Sequence, residues 1–160
     1  MKKIFIIRHA KSSWKSNLID FDRPLSLSGL ESAKKVAEES LKIIDANSII
    51  LISSAKRTSE TAKIFTTIWN LKFIEQKNVD ELYTFNLLEL EKIVKSCSNE
   101  FENIILFGHN SAITDFVNKF GDIFIENVPT SGFVSIIFDV DQWSSINNGK
   151  TNKIIFPRDI

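Results

Sequence analysis

The sequence predicts an α/β fold with three layers, α/β/α, built on a mostly parallel central sheet. The first observation behind this prediction is that short apolar runs alternate along the chain with longer stretches of helical spacing. The second is that 160 residues, 43% hydrophobic and 25% charged, are typical of one folded domain, here residues 1–160. Only three Pro and five Gly interrupt the chain, and no repeat or linker divides it.

The predicted strands are the apolar runs. Three of them are almost entirely apolar, as expected for strands that are covered by helices on both faces. A fourth, longer run is expected to lie nearer an edge of the sheet. In order along the chain the runs are Lys3–Ile7, Ile49–Ile52, Ile104–Phe107 and Phe133–Val140, with shorter candidates at Phe73–Glu75 and Lys153–Phe156.

Four helices are predicted between these strands. The first begins at Ser28, which stands three residues before Glu31 in the spacing of a capping box. The second runs from about Ala55 to Trp69, with apolar residues recurring on one side. The third follows Asn86 and the fourth follows Asn110, each with its own apolar stripe.

Composition excludes several kinds of function. Twenty Lys+Arg balance twenty Asp+Glu, so no overall basic charge is available to bind nucleic acid or an anionic membrane. A single cysteine, Cys97, excludes an internal disulfide framework, and two His are too few for a His/Cys-rich metal site, although carboxylate sites stay open. The apolar run near the N-terminus is too short for a signal sequence, so a cytoplasmic location is expected.

The scarce residues collect near strand ends. The chain has four Arg against sixteen Lys, and only two His. His9 follows the first strand beside Arg8, His109 follows the third long run, and Arg57 lies shortly after the second. Because the carboxyl ends of parallel strands form the ligand crevice of an open sheet, we expect these four side chains to meet there.

This combination favours phosphoryl chemistry without a metal or cofactor. A guanidinium group presents a planar fork of donors that matches phosphate oxygens. Helix N-termini after Ser54 and Asn110 would add backbone N–H groups aimed at the same anion. A neutral imidazole beside them is a competent nucleophile toward phosphorus, and the nearby positive charge helps to keep it neutral.

Four motifs in order extend over nearly the whole chain. They are Arg8-His9-Ala10, Asp22-Arg23-Pro24-Leu25 with Gly29, Ser53 to Ala62 around Arg57 and Thr61, and Gly108-His109-Asn110. With these motifs the sequence resembles the histidine phosphatase superfamily, which has the phosphoglycerate mutase-like fold, and within it the SixA-type phosphohistidine phosphatases. The segments Glu81-Leu82-Tyr83 and Pro129 to Gly132 also resemble that branch.

The resemblance implies a role for individual residues. His9 would attack the phosphoryl group and carry it as phosphohistidine, while Arg8, Arg57 and His109 would hold its oxygens. Glu81 stands where the family often has its proton donor. The roles of three further residues stay open between local structure and substrate contact: Arg23, which could instead bond to Asp20 or Asp22, together with Asn110 and Thr130.

The length of one segment bears on the substrate. Only 27 residues separate Glu81 from His109, which leaves no room for a large lid insertion over the site. A shallow crevice suits a phosphorylated protein side chain better than a small molecule that must be enclosed. Phosphohistidine on a protein, such as a histidine-phosphotransfer domain, is therefore expected. A phosphatase of small phosphomonoesters and a non-catalytic phosphate-binding module remain alternatives, and a mutase is disfavoured.

The surroundings of the expected site allow two further interpretations. Trp14 is expected to pack against the core, with contact to a partner as the alternative. Lys11 and Lys15 are either ordinary solvated lysines or a basic rim that attracts an acidic partner.

Overall fold

A single six-stranded sheet forms the centre of the molecule in the computed structural model, which describes residues 1–160. Its spatial order is β3-β2-β4-β1-β5-β6. The first three neighbouring pairs in that order are parallel and the last two are antiparallel, so the prediction of a mostly parallel sheet is confirmed. The strands are β1 Lys2–Arg8, β2 Ser48–Ser53, β3 Glu75–Val79, β4 Asn103–Gly108, β5 Phe133–Phe138 and β6 Lys150–Ile155.

Two pairs of helices cover the sheet and complete the three layers. The helices are α1 Leu27–Ser40, α2 Lys56–Trp69, α3 Leu87–Lys95 and α4 Ala112–Phe120. Helices α1 and α2 share one buried apolar cluster with the sheet, and α3 and α4 share another. Strand β1 shows the underlying alternation, because Ile4 and Ile6 belong to one cluster while Phe5 and Ile7 belong to the other. The run is continuous in apolar residues because both faces are covered.

Three predicted strands differ from the observed ones, and the last of them, expected at Lys153–Phe156, begins earlier, at Lys150–Ile155. The strand expected at Phe73–Glu75 lies later, at Glu75–Val79, and most of its side chains are exposed. It forms an edge of the sheet by backbone pairing with β2 and therefore carries little apolar signal in the sequence. The strand expected nearer an edge, Phe133–Val140, lies next to the edge strand β6, but it ends at Phe138 and is almost fully buried.

The helix caps were predicted in part. Asn86 caps α3 as predicted, since its side chain accepts hydrogen bonds from the backbone N–H groups of Leu88 and Glu89 at 2.8 and 3.2 Å. The cap of α1 was wrong by two positions. Ser26, not Ser28, caps it, because the Ser26 hydroxyl accepts from the Gly29 N–H at 3.0 Å.

Glycine at position 29 lets α1 touch the loop that leaves β1. A Cβ atom there would lie 2.2 Å from the carbonyl oxygen of Lys11, closer than any side chain can approach. The same carbonyl accepts a hydrogen bond from the Ser26 N–H at 2.9 Å. The segment after Arg8 is thus held against the start of α1.

The segment between β3 and β4 contains α3 and one short 3-10 turn, so the predicted absence of a large insertion is confirmed.

None of the four helices combines the length and the apolar character that crossing a bilayer requires.

Candidate active site

The two histidines lie side by side at the carboxyl edge of the sheet. Strands β1 and β4 are parallel neighbours in a register that pairs Arg8 with Gly108. The residue after each of them is a histidine, and the centres of the His9 and His109 rings are 5.2 Å apart. The expectation that parallel strand ends would bring these residues together is met by the sheet order itself.

Hydrogen bonding fixes the tautomer of His9. Its Nδ1 lies 2.7 Å from the carbonyl oxygen of Ala10, which can only accept, so Nδ1 carries the proton. Nε2 is therefore unprotonated and keeps its lone pair. The Arg57 Nε–H points toward this lone pair from 3.4 Å. The ring is only 8% exposed, so its orientation is set by the surrounding protein.

Two residues hold the backbone around His9 in place, Thr61 through its side chain and Ser131 through its backbone N–H. The Thr61 hydroxyl accepts from the Ala10 N–H at 2.9 Å and donates to the Arg57 carbonyl at 2.7 Å, which joins the loop after β1 to the first turns of α2. On the other side, Ser131 has a left-handed backbone with φ of 62°. Its N–H lies 3.1 Å from the carbonyl oxygens of both Arg8 and His9. His9 is thus held at both sides by fixed elements.

Arg57 extends from the first turn of α2 across the space beside His9. It is 3% exposed, and its Nη1 and Nη2 donate to the backbone oxygen and the Oδ2 atom of Asp20 at 2.7 and 3.0 Å. The same Nη2 lies 3.5 Å from Nδ1 of His109. The guanidinium group is therefore next to both imidazoles. The pairing with Glu60 that its helical spacing allows is not formed, because Glu60 accepts from the Leu25 N–H instead.

His109 lies behind His9 and is 2% exposed. Its Nε2 is 2.7 Å from the Ser53 hydroxyl and its Nδ1 faces Arg57. The edges of Tyr83 and Phe85 pack on its ring at centroid distances of 5.4 and 5.6 Å.

Arg8 and Asn110 meet at one carbonyl group. Arg8 Nη1 and Asn110 Nδ2 donate to the Val128 oxygen at 2.9 and 3.1 Å. The Asn110 Oδ1 atom accepts from the N–H and hydroxyl of Thr114 at 3.0 and 2.9 Å. Asn110 therefore has its polar atoms engaged in local structure, and it positions the carbonyl that orients Arg8.

Arg8, His9, Arg57 and Asn110 line one cavity of about 600 Å³, called the His9 cavity below. His109 is not at its surface and lies beneath it. The lining residues are Arg8, His9, Lys11, Ser12, Trp14, Asp20, Arg23, Arg57, Tyr83, Phe85, Asn110 and Thr130. All three residues whose roles were left open, Arg23, Asn110 and Thr130, thus line the cavity.

Arg23 makes the local bond to Asp20 that was one of the alternatives for it, and it also stacks on Trp14. Its Nη2 donates to Asp20 Oδ1 at 2.9 Å, and its guanidinium group stacks 3.5 Å from the ring centre of Trp14. Two of its buried nitrogens, Nε and Nη1, have no hydrogen-bond partner, and neither has Nε of Arg8. Buried donors of this kind are costly unless an acceptor satisfies them. Trp14 is 79% exposed, so the prediction that it packs in the core was wrong.

Glu81 is not among the residues that line the His9 cavity. It is exposed and lines a different cavity with Val79, Tyr83 and residues of α3. Only Tyr83 borders both cavities. In the short 3-10 turn Asp80–Leu82, the side chain of Leu82 is buried, whereas the side chain of Glu81 is exposed to solvent. The expectation that Glu81 faces the nucleophile as a proton donor is therefore not met here.

The site contributions of four residues were not predicted from the sequence. Asp20 and Tyr83 come from loops, where no periodicity fixes the direction of a side chain, and Phe85 follows shortly after. Thr61 stood within a quoted motif, yet the spacing alone did not indicate that it bridges His9 and Arg57. No group of three or more His, Cys, Asp or Glu side chains is arranged to hold a metal ion.

Electrostatics keep both imidazoles neutral. Burial, with the charges of Arg57, Arg8 and Arg23, lowers the pKa of His9 to about 4, although the hydrogen bond to Ala10 acts in the opposite direction. Burial lowers the pKa of His109 to about 3, and the neighbouring His9 ring and the charge of Arg57 act in the same direction. Burial and the charge of Arg57 also lower the pKa of Arg8. At neutral pH His9 therefore has a free lone pair within a positively charged site.

A pH titration tests this assignment. An unperturbed imidazole with a pKa near 6.5 is about 90% protonated at pH 5.5, whereas His9 should remain neutral there because its pKa lies lower. We expect the nitrogen NMR signals of both imidazoles to be unchanged from pH 7.5 to 5.5, and to shift only as the pH approaches 4. The chain unfolded in denaturant provides the control, with midpoints near 6.5. A native His9 midpoint near 6.5 would contradict the assignment.

Comparison with known proteins agrees with the motifs. Residues 4–104 match the profile of the histidine phosphatase superfamily, branch 1. An uncharacterized chloroplastic protein of Arabidopsis thaliana is 43% identical over 63 residues, which are 39% of this chain and 29% of that protein. The match thus spans less than a third of that relative.

Solved structures share the fold over nearly the full chain. The protein histidine phosphatase SixA complexed with tungstate has a TM-score of 0.79 at 20% identity, covering 98% of both chains. A structure described as a SixA phosphohistidine phosphatase of Agrobacterium tumefaciens has a TM-score of 0.77 at 21% identity, covering 96% of this chain and 97% of that one. A phosphoglycerate mutase of Bacillus anthracis has a TM-score of 0.60 at 14% identity, covering 91% and 95%.

Proposed function

This chain belongs to the histidine phosphatase superfamily and is a hydrolase acting on phosphorylated substrates, and we propose that it removes the phosphoryl group from phosphohistidine on a protein. The reaction would pass through a covalent intermediate on His9. The observation that carries the proposal is the unprotonated Nε2 of His9 lying 3.4 Å from the Arg57 guanidinium at the cavity. The nucleophile and an anion-binding group thus lie next to each other at the same cavity.

The first step would transfer the phosphoryl group to the enzyme. The lone pair on His9 Nε2 forms a bond to phosphorus as the bond from phosphorus to the substrate imidazole nitrogen breaks. Arg57 would hold the phosphoryl oxygens, helped by the free N–H groups of Arg8 and Arg23. These charges stabilise the negative charge that spreads over the equatorial oxygens in the transition state. The hydrogen bond from Nδ1 to Ala10 keeps the ring oriented throughout.

The second step would release orthophosphate. A water oxygen bonds to phosphorus, the bond from phosphorus to Nε2 breaks, and the water proton leaves to solvent or to a phosphate oxygen. His9 is then ready for another cycle. A bound dianion raises the pKa of neighbouring imidazoles, which favours a second N–H on His109 while the phosphoryl group is present.

The chemistry of the leaving group supports phosphohistidine as substrate. A phosphohistidine ring whose second nitrogen has taken a proton from water leaves as neutral imidazole, whose conjugate acid has a pKa near 6.5, so it leaves readily without a positioned acid. An alcohol leaves far less readily and needs a positioned acid. Glu81 lines another cavity, and Asp20, the acidic side chain that lines the His9 cavity, is held ionised by Tyr83, Arg23 and Arg57 and has no proton to donate. The available machinery therefore fits a phosphoramidate better than a phosphomonoester.

The surroundings of the cavity support a protein as the carrier. Trp14 and Phe85 line it and are 79% and 50% exposed, and Leu18 and Ile19 lie exposed on the segment between Trp14 and Asp20. Lys11 is exposed at the same rim. Apolar groups around a polar site are typical of a surface that contacts another protein. A phosphorylated histidine-phosphotransfer domain would present its imidazole on such a contact.

A comparison of substrates tests the proposal. We expect kcat/KM for a phosphorylated histidine-phosphotransfer domain to exceed that for a panel of small phosphomonoesters by at least about 100-fold, roughly 2.7 kcal/mol of transition-state stabilisation. Phosphate release is followed with and without a chelator, and we expect equal rates. Efficient turnover of a small phosphomonoester with none on the phosphoprotein would favour the alternative of a metabolite phosphatase. Tight binding of phosphoprotein without phosphate release would favour a binding module.

A further inference from the structure

We propose that Asp20 is an internal competitor of orthophosphate, which occupies the anion-binding groups of the site and promotes product release. The inference rests on the proposed function, because it concerns the groups that would hold the phosphoryl oxygens. Asp20 lies on the short 3-10 turn Asp20–Asp22 at the edge of the His9 cavity.

The carboxylate of Asp20 binds the donors that a phosphate would use. Its Oδ2 accepts from Arg57 Nη2 at 3.0 Å and from the Tyr83 hydroxyl, and its Oδ1 accepts from Arg23 Nη2 at 2.9 Å. Three donors from separate segments therefore converge on one carboxylate. A carboxylate and a phosphoryl group each present two oxygens that can accept from a guanidinium fork, so they are alternatives for the same N–H groups.

The carboxylate is charged in the free enzyme. Partial burial raises the pKa of Asp20, but the hydrogen bonds from Tyr83, Arg23 and Arg57 outweigh that effect and hold the pKa well below its usual range. Its side chain remains 46% exposed, in contrast to 3% for Arg57. The Asp20 carboxylate thus lies on the solvent side of the buried Arg57 guanidinium group. Its side chain can rotate away from Arg57 without disturbing the core.

This arrangement weakens the binding of free phosphate. An incoming anion must first release Arg57 from Asp20, and the free energy of that release subtracts from its affinity. A substrate carried by a protein has contacts outside the cavity that offset the loss, whereas orthophosphate has none. After hydrolysis, the return of Asp20 to Arg57, Arg23 and Tyr83 displaces the product.

A purely orienting role for Asp20 predicts the opposite sign. If Asp20 only held Arg57 and Arg23 in place, its removal would loosen both side chains and weaken the binding of anions. Measurement of anion affinity therefore separates competition from orientation, independently of catalysis.

The test is the affinity of the whole protein for orthophosphate and tungstate, measured by calorimetry on the wild type, Asp20→Asn and the control Asp22→Asn. Asp22 is exposed on the same turn and has no hydrogen bond or ion pair in the site. We expect Kd to fall by about tenfold in Asp20→Asn, as removal of one competing charge-assisted contact allows, and to stay within about twofold in Asp22→Asn. The inhibition constant of orthophosphate against phosphoprotein should fall in parallel.

Equal or weaker anion binding by folded Asp20→Asn would overturn the proposal. A cooperative melting transition in both variants verifies that the fold is retained. The readout does not require turnover. If the wild type failed to hydrolyse phosphohistidine, the proposed function would fall, while the change in Kd would still show whether Asp20 competes with anions.

Discussion

Replacing His9 by alanine should abolish turnover, with kcat/KM on phosphoprotein reduced by roughly 10³-fold or more. The reason is that Nε2 of His9 is the unprotonated ring nitrogen at the cavity surface, whereas His109 is covered by Tyr83 and Phe85. No other nucleophile of comparable strength lines the cavity. The measurement is phosphate release under single-turnover conditions, which separates chemistry from product release.

The control for this variant is the anion site itself. Arg57, Arg8 and Arg23 remain in the alanine variant, so tungstate should still bind to it, with its Kd within about tenfold of the wild type. A protein that binds tungstate and no longer turns over has lost its nucleophile and not its fold. Full activity of His9→Ala would rule out the proposed mechanism.

Replacing Arg57 by lysine should lower kcat/KM by about 10² to 10³-fold, the range seen when a group that stabilises transition-state charge is removed. Lysine preserves the positive charge but has no planar fork. In the wild type the fork reaches His9 through Nε and the Asp20 carboxylate through Nη2 at the same time. A single ammonium group cannot make both contacts. The measurement is kcat and KM on the phosphoprotein at saturating and limiting concentrations.

Arg158 provides the matched control for this substitution. It lies in the last turn of the chain, and its side chain is 71% exposed. Arg158→Lys should change kcat/KM by less than about twofold, since surface substitutions away from a site have small effects. If Arg57→Lys were as active as this control, a bidentate role for the guanidinium group would be excluded.

The placement of His9, His109 and Arg57 was predictable because it follows from topology. In a parallel sheet the carboxyl ends of the strands share one edge, and the residues just beyond β1, β4 and β2 must meet there. The continuous apolar run Ile4–Ile7 predicted strand β1. Each of its residues is completely buried in the structure. The family resemblance then assigned a role to each position.

The loop contributions were not predictable for a physical reason. Asp20 reaches Arg57 across 37 residues of sequence, and the direction of a loop side chain depends on contacts that no local pattern encodes. The direction of the Glu81 side chain was equally unpredictable, because it lies in a single 3-10 turn that places it at a different cavity from His9. Strand β3 was misplaced because an exposed edge strand carries polar residues.

The central claim is that the Nε2 atom of His9 accepts the phosphoryl group. The most direct test is to mix the protein with phosphorylated histidine-phosphotransfer domain, quench in alkali within milliseconds, and locate the label by mass spectrometry and phosphorus NMR. We expect an acid-labile, alkali-stable phosphate on His9, attached at Nε2 because Nδ1 is bound to the Ala10 carbonyl. Label on His109, or rapid phosphate release with no labelled protein at any time, would contradict it.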